Sequence, residues 1–430
     1  MSAIAEAPSI EITDYPEREG MQGDLYAFHH MALEQWLGAV TEEKKAALQQ
    51  KLVHYPDHDQ LMAGLTSGEI DFAIIAVDNN NSGRVTTAIE ALRNNPAASI
   101  LGKIAIGVKQ HALLWPEHEE KDIIQGISQR PALIQSRKGT DERGWVAAER
   151  ADTAASAKEV AASHGMIENA EGIKVPTAAI GPRLAGEKAG LKVGNVLSPP
   201  GNATTFWVIT TNPEKYAHLQ TEAATHAAFT FSVPDTEGGL LDAVSRFSDA
   251  DFDFTDIDCH LAPKDSSVEG RRSFFAEVSL DNVATLALFK ELVNRRGADY
   301  EIDVLGIYAD RTDPSIHTTA IHHDNKPENI HELWSGRDGH EHEDGSPVLY
   351  VQGTNRHKML QTVLRIIKES GTNVDDMSRP LMPPSNGSRG FFFNFTVGTE
   401  TTRMGDGLVA EGYTIELYTY RAKSDSLIVA

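Results

Sequence analysis

Residues 201–210 read Gly-Asn-Ala-Thr-Thr-Phe-Trp-Val-Ile-Thr. The run Phe206-Trp207-Val208-Ile209 is β-branched and aromatic and follows a Gly-Asn turn, so it predicts a buried strand entered from that turn. Thr204 and Thr205 then stand at the mouth of the strand, where a charged anchor would be the ordinary choice. A threonine hydroxyl is a weak acid. It acts on a ligand through a positioned hydrogen bond rather than through a tuned proton. Two other polar clusters end predicted strands: Asp78 to Ser82 after "DFAIIAV", and Ser128-Gln129-Arg130 after "DIIQGI". A third cluster is the segment 311–346, with His317, His322, His323, His331, His340 and His342. A metal site is the sharp reading of it. The histidines lie among Asp, Glu, Gly and Pro with no helical pair at i,i+4, so a solvated linker is the expectation, with no metal and no cofactor.

The elements that would position these residues alternate. "IDFAIIAVDNN" (70–80) predicts a strand and turn, "GRVTTAIEALRNN" (83–95) a helix, and "SILGKIAIGVKQHALLW" (99–115) holds a strand. "DIIQGIS" (122–128) is another strand, and "DTAASAKEVAAS" (152–163) a helix with Asp152 as its N-cap. "TAAIGPRLAGEKAGLKV" (177–193) gives a short strand and helix before the strand at 204–210. Such alternation predicts α/β layers with ligands at the carboxyl ends of strands.

The rhythm then changes. Strands at 226–233, 252–262, 272–280 and 300–308, with helices at 238–251 and 282–296, spell βαββαβ, the ferredoxin-like arrangement. A weaker copy follows: "PVLYVQG" (347–353), the amphipathic helix "RHKMLQTVLRIIKESG" (356–371), then strands at 373–382, 389–398 and 413–420. The stretch between Met404 and Gly412 is thin for a second helix, so this internal repeat is expected to be degenerate. The domain plan is a tail at 1–14, an α/β domain at 15–215, βαββαβ at 226–310, the linker at 311–346 and the second repeat at 347–423.

Bulk properties narrow the function. A chain of 430 residues is too long for one core. The single cysteine, Cys259, excludes an internal disulfide framework and a cysteine-based metal cluster. A net charge of −23 argues against nucleic acid, which needs clustered Lys and Arg. The opening "MSAIAEAPSIEITDYPEREG" lacks the parts of a secretory leader, and no apolar run approaches the ~20 residues that cross a bilayer. A soluble, cytoplasmic protein with no membrane partner is the expectation.

The order of motifs over residues 20–210 resembles the prephenate dehydratase family. "MQGDLYAFHHMALEQWLG" (21–38) looks like the family's opening turn and helix, and "DFAIIAVDNNNSGRV" (71–85) like its strand and Glu-Asn-Ser turn. "ISQRPALIQS" (127–136) resembles Ser-His-Pro-x-Ala-Leu-x-Gln, and "DTAASA" (152–157) the Thr-Ala helix start. "NATTFWVI" (202–209) stands in place of the Asn-x-Thr-Arg-Phe signature. The βαββαβ unit resembles an ACT domain, the amino-acid-sensing module commonly fused behind the dehydratase. The resemblance implies a two-lobed catalytic domain of the periplasmic-binding-protein kind with a cleft between its lobes, followed by an ACT domain and its degenerate copy.

The function so implied is loss of water and CO₂ from prephenate, a dianion, to give phenylpyruvate. The implied catalytic residues are Thr204, Asn79, Ser128 and Gln135, with Thr205, Phe206, Asn80, Arg84, Gln129, Arg130, Asp152 and Thr153 around the substrate. The regulatory positions matched in the first βαββαβ unit are Gly238, Gly239, Leu240 and Asp258, with an aromatic amino acid as the ligand. A homodimer or tetramer is implied. Departures matter: the signature arginine is Thr205, the Glu of Glu-Asn-Ser is Asp78, and His-Pro is Gln129-Arg130. Arg84 and Arg130 are extra, and either one taking over a substrate carboxylate is the expectation. The alternatives are a non-aromatising prephenate decarboxylase and a catalytically degenerate ligand sensor.

Overall fold

The computed structural model describes residues 19–22, 27–37, 52–80, 83–216, 224–252, 254–261, 270–280, 283–294, 301–313, 316, 347–354, 359–372, 374, 376–378, 388–395, 399, 401–421 and 426–429. The histidine-rich segment from 317 to 346 lies outside the described residues.

The first lobe is built on β1 (Glu19–Gln22), β2 (Leu52–Tyr55) and β3 (Phe72–Asn79), which run parallel with β1 in the middle. β12 (Ala203–Thr210) lies antiparallel between β3 and β5 (Ser99–Gly107). The short β4 (Gly83–Arg84) folds back onto β3. α1 (Phe28–Leu37) covers one face. α2 (His58–Thr66) and α3 (Thr86–Arg93) cover the other. With both faces covered, β3 reads as an almost unbroken apolar run rather than an alternating one.

The second lobe has the strand order β11 (Lys192–Val196), β6 (His111–Leu114), β10 (Lys174–Gly181), β7 (Gln125–Ser128), β8 (Val146–Glu149), with β9 (Met166–Glu168) on β10. β7 is parallel to both β8 and β10. α4 (Arg130–Asp141), α5 (Thr153–Ala162) and α6 (Arg183–Lys188) follow the carboxyl ends of β7, β8 and β10. Asp152 caps α5 by accepting from the Ala155 amide at 2.8 Å, as its position predicts. The apolar run 99–115 holds two strands, not one: β5 belongs to the first sheet and β6 to the second. The chain crosses at Val108-Lys109-Gln110 and returns between β11 and β12. The Val108 amide donates to Asn202 O at 2.7 Å and the Leu197 amide to Gln110 O at 2.7 Å, tying the crossings together.

The third part runs β13 (His226–Pro234), α7 (Gly239–Ser248), β14 (Phe254–Leu261), β15 (Arg271–Ser279), α8 (Val283–Asn294), β16 (Glu301–Asp310), in the sheet order β14-β15-β13-β16. This is the ferredoxin-like order. The fourth part runs β17 (Pro347–Thr354), α9 (Met359–Glu369), β18 (Asp376–Ser378), β19 (Ser388–Asn394), α10 (Thr402–Ala410), β20 (Thr414–Arg421), in the same order, with β21 (Ser426–Val429) added beside β20. The repeat therefore keeps its second helix, against the expectation of a degenerate copy. Gly405 and Gly407 conceal that helix, since each costs about 1 kcal/mol relative to Ala in a helix interior. The packing explains them: an added Cβ would lie 2.9 Å from Ile415 at Gly405 and 2.9 Å from Ile366 at Gly407. Met404 and Leu408 are buried on the same helix. The two units share one core. α7 packs on α9, and the outer strands β14 and β18 lie side by side.

The first βαββαβ unit is fused to the first lobe, because β16 runs parallel to β5 and extends one ten-stranded sheet. Gly306 permits the approach, as a Cβ there would sit 2.5 Å from Ile100 Cβ. A buried ionic cluster closes the joint. Lys103 Nζ lies 2.8 Å from Glu277 Oε1 and 3.2 Å from Asp310 Oδ2. Tyr308 donates to Glu277 Oε2 at 2.5 Å and Thr255 to Oε1 at 2.8 Å. Burial works against both charges. The Lys103 ammonium, with the Tyr308 and His226 contacts, outweighs it and holds Glu277 below its ordinary value. Glu277 and Asp310 likewise outweigh burial at Lys103 and push it up.

The lowered carboxyl pKa stabilises the fold above its unfolded value of 4.5, and that stability is lost as pH falls through the folded pKa. The raised amine stabilises below 10.5 and loses its effect as pH rises through its folded pKa. Lys103→Met leaves a buried carboxylate unpaired and is expected to cost about 3–5 kcal/mol in urea unfolding at pH 7. Adding Glu277→Gln is expected to recover much of that loss. An unchanged midpoint for Lys103→Met would show that the pair does not hold the joint.

Candidate active site

The register of β12 on β3 decides what faces Thr204. Phe206 stands opposite Ala76, Thr205 opposite Asp78 and Thr204 opposite Asn79, so Val77 is an extra residue in β3. Without that bulge Thr204 would face Asp78. The bulge places an amide there instead of a carboxylate, the kind of re-aiming that bulges perform. Asn79 Nδ2 donates to Thr204 Oγ1 at 2.8 Å, to Asn202 Oδ1 at 2.9 Å and to Ala203 O at 2.9 Å. Two amide hydrogens therefore serve three acceptors. Thr204 Oγ1 accepts, and its own hydrogen is given to no described residue. Thr204 keeps 8% of its surface exposed, while Ser128 keeps none.

A ladder of buried side chains continues across the joint between the lobes. Asn202 Nδ2 donates to Gln135 Oε1 at 3.3 Å, and Gln110 Nε2 donates to the same oxygen at 2.9 Å. The Gln110 amide donates to Ser198 Oγ at 3.1 Å. Gln135 comes from α4 of the second lobe, Asn79 and Thr204 from the first, and Gln110 and Asn202 from the two crossings. Asn80 staples the β3 turn to β12: its Nδ2 donates to Gly201 O at 2.6 Å, and its Oδ1 accepts from the Ala203 amide at 2.9 Å.

Ser128 belongs to a separate group in the second lobe. It donates to Ile180 O at 2.7 Å and lies 3.4 Å from the buried Thr153 hydroxyl. Gln129 is the N-cap residue of α4, and its side chain makes no capping bond. Arg130 is exposed at the first position of that helix. Asp152 is engaged as the cap of α5. Phe206 is a core residue, with His29 edge-on to its ring at 5.1 Å. Burial, with the nearby His58 adding to it, pulls His29 down to about 3, so it is neutral and supplies no proton near pH 7. Thr205 is half-buried and stands opposite Asp78 and Ala105.

Arg84, one of the two arginines expected to take a substrate carboxylate, is turned instead to carboxylates of the chain itself. Its guanidinium is paired with Asp256, lies 3.8 Å from Asp258 Oδ2, and stacks 4.9 Å over the Phe275 ring. The turn around Arg84 gives no sign of this, because Asp256 lies 172 residues further along the chain. Asp258 is accordingly buried against Arg84. Gly238 holds φ +84, which favours glycine, and an added Cβ on Gly239 would lie 2.5 Å from Pro234 O. Leu240 is buried beside them.

Gln110, Asn202 and Ser198 were missed. Asn202 sits next to the threonines in sequence. The signal for Gln110 is a polar break, Lys109-Gln110, inside an otherwise apolar run.

Two α/β lobes joined by paired crossings, with convergent polar side chains at the joint, define a cleft of the periplasmic-binding-protein kind. Residues 20–214 match the family model of prephenate dehydratase. Over this domain the chain is similar to the prephenate dehydratase family. It is 24% identical over 217 residues to a prephenate dehydratase of Lactococcus lactis subsp. lactis strain IL1403, covering 50% of this chain and 74% of the relative. It is 24% identical over 265 residues to that of L. lactis subsp. cremoris strain MG1363, covering 60% and 89%. Among solved structures, the prephenate dehydratase of Arthrobacter aurescens in complex with L-Phe superposes with a TM-score of 0.50 at 19% identity, covering 68% of this chain and 90% of that one. GqqA, described as a novel type of quorum quenching acylase, superposes with a TM-score of 0.53 at 19% identity, covering 69% and 98%. Both likenesses speak for the fold.

Replacing Asn202 by Leu strips a partner from Asn79 and from Gln135 in a buried setting. Asn79 keeps Thr204 and Ala203, and Gln135 keeps Gln110, so the expected loss is about 0.5–1.5 kcal/mol for each hydrogen bond removed, read from urea unfolding. An unchanged midpoint would show that the ladder is not a stabilising link between the lobes.

Proposed function

We propose that the cleft converts prephenate to phenylpyruvate by coupled loss of water and CO₂. The observation that carries this reading is the Asn79–Thr204 hydrogen bond at 2.8 Å, which makes the threonine oxygen an acceptor and leaves its hydrogen to be donated into the cleft. In the reaction the bond from the quaternary ring carbon to its carboxylate breaks, its electron pair enters the ring, and the ring C–O bond breaks. The hydroxyl departs as water after gaining one proton, so the dianion consumes one proton overall. The Thr204 O–H, held by Asn79, hydrogen-bonds the departing oxygen where negative charge develops. This is catalysis by position and electrostatics. The amide ladder through Asn202, Gln135 and Gln110 keeps the two lobes in register around that atom.

The substrate's two carboxylates need a positive field in a protein of strongly negative charge. The N-terminal ends of α4 and α5 both open at the carboxyl edge of the second sheet, and Arg130 sits at the first position of α4. We assign Arg130 the carboxylate that the signature arginine would take where this chain has Thr205. Gln129 and Thr153 complete that wall, and Ser128 holds it against β10 through Ile180. The paired βαββαβ units act as an ACT-type regulatory part that receives an amino acid at the Gly238-Gly239 start of α7. Because Asp258 is turned to Arg84, the response to phenylalanine is expected to be altered.

Thr205 favours one rival: a decarboxylase that releases CO₂ and keeps the ring hydroxyl. Incubation of the protein with prephenate at neutral pH, with product mass and ultraviolet absorbance, separates the two. Phenylpyruvate is expected. Thr204→Val is expected to lower kcat by about 10²–10³-fold, with Thr204→Ser retaining most of the rate. A product that keeps the hydroxyl, or no turnover at all, would overturn the dehydratase reading.

A further inference from the structure

Arg84 lies outside the cleft yet touches both halves of the machinery. It belongs to β4, directly opposite Asp78, and the next pair of that ladder is Gly83 opposite Asn79. Its side chain is 7% exposed and is claimed by two carboxylates of β14, Asp256 and Asp258. Its guanidinium stacks on Phe275 of β15, and the Phe275 ring centroid lies 5.6 Å from that of Trp207 on β12, three residues beyond Thr204. The strand carrying Asn79 and the strand carrying Thr204 are thus both tied, through one cation, to the sheet of the first βαββαβ unit. β14 is the strand of that sheet that borders β18 of the second unit. The anchor is placed where a shift between the two units would reach it first.

We propose that Arg84 is a positioning residue: its ion pair with Asp256 and Asp258 holds β4, and the end of β3 paired to it, in the bulged register that presents Asn79 to Thr204, so the paired βαββαβ units set the efficiency of the cleft through this cation. The proposal rests on the role given above to Thr204. Closing the bulge at Val77 would slip β3 by one residue and put Asp78 opposite Thr204. A carboxylate there would accept the hydroxyl's hydrogen and take it from the substrate. The charge pair at β14 holds the end of β3 against that slip, through β4.

The test is kinetic and uses the full chain with prephenate. Asp256→Asn changes a residue far from the family-matched segment 20–214 and keeps its shape. It is expected to lower kcat by about tenfold or more with KM changed by less than about twofold, as a small misplacement of a reacting group would. Arg84→Met is expected to do the same, and Arg84→Lys to recover part of the loss. Arg84→Met together with Asp256→Asn is expected to lose no more than either single change, because the two report one interaction. Urea unfolding of that double variant with Asp258→Asn added, which leaves no charge of the Arg84, Asp256 and Asp258 cluster unmatched, guards against reading a folding defect as lost positioning. If Arg84→Met does not fold, Asp256→Asn and Asp258→Asn carry the test. Wild-type kcat for Asp256→Asn, or losses that multiply in the double variant, would overturn the proposal. Absence of turnover in the unchanged protein would instead remove the function assigned to Thr204.

Discussion

The site depends on one extra residue in β3. Val77 adds no chemistry of its own, yet its insertion decides whether Thr204 meets an amide or a carboxylate. An amide donates and leaves the hydroxyl free to donate onward. A carboxylate accepts and would consume that hydrogen. The whole polar ladder from Asn79 through Asn202 to Gln135 and Gln110 presupposes this choice, because Asn79 must stand beside both Thr204 and Asn202 to join the lobes.

The lobes and the C-terminal units are joined by different physics. Across the joint between the lobes the links are neutral amides and hydroxyls, each worth about 0.5–1.5 kcal/mol net. Between the first lobe and the first βαββαβ unit the links are continuous strands and buried charges, Lys103 with Glu277 and Asp310, and Arg84 with Asp256 and Asp258. Buried charges tolerate no partial separation, since an unpaired one is costly. The first lobe and that unit are therefore joined both by paired strands and by buried charge.

The two βαββαβ units settle on each other by burying helix against helix and edge against edge, and the glycines of the second unit answer to packing inside that unit. Gly405 and Gly407 look like helix breakers when read singly, and the partner surfaces of Ile415 and Ile366 are what require them. The same reasoning applies to Gly306, whose missing side chain lets β16 lie along β5. Local propensity yields wherever a close approach in the folded chain returns more than a single residue loses.

Much of the plan was legible in residue order. The α/β alternation, the strand entered at Thr204, the turn at Asn79, the cap at Asp152 and the first βαββαβ unit all follow from local periodicity and turn chemistry, which act over a few residues. Three things were decided only in the folded molecule: which residue faces Thr204, where the Arg84 guanidinium goes, and how one apolar run serves two sheets. Each depends on a contact between segments far apart in the chain. Register across strands and the partner of a long charged side chain are set by the tertiary neighbours alone, so no local pattern in the sequence encodes them.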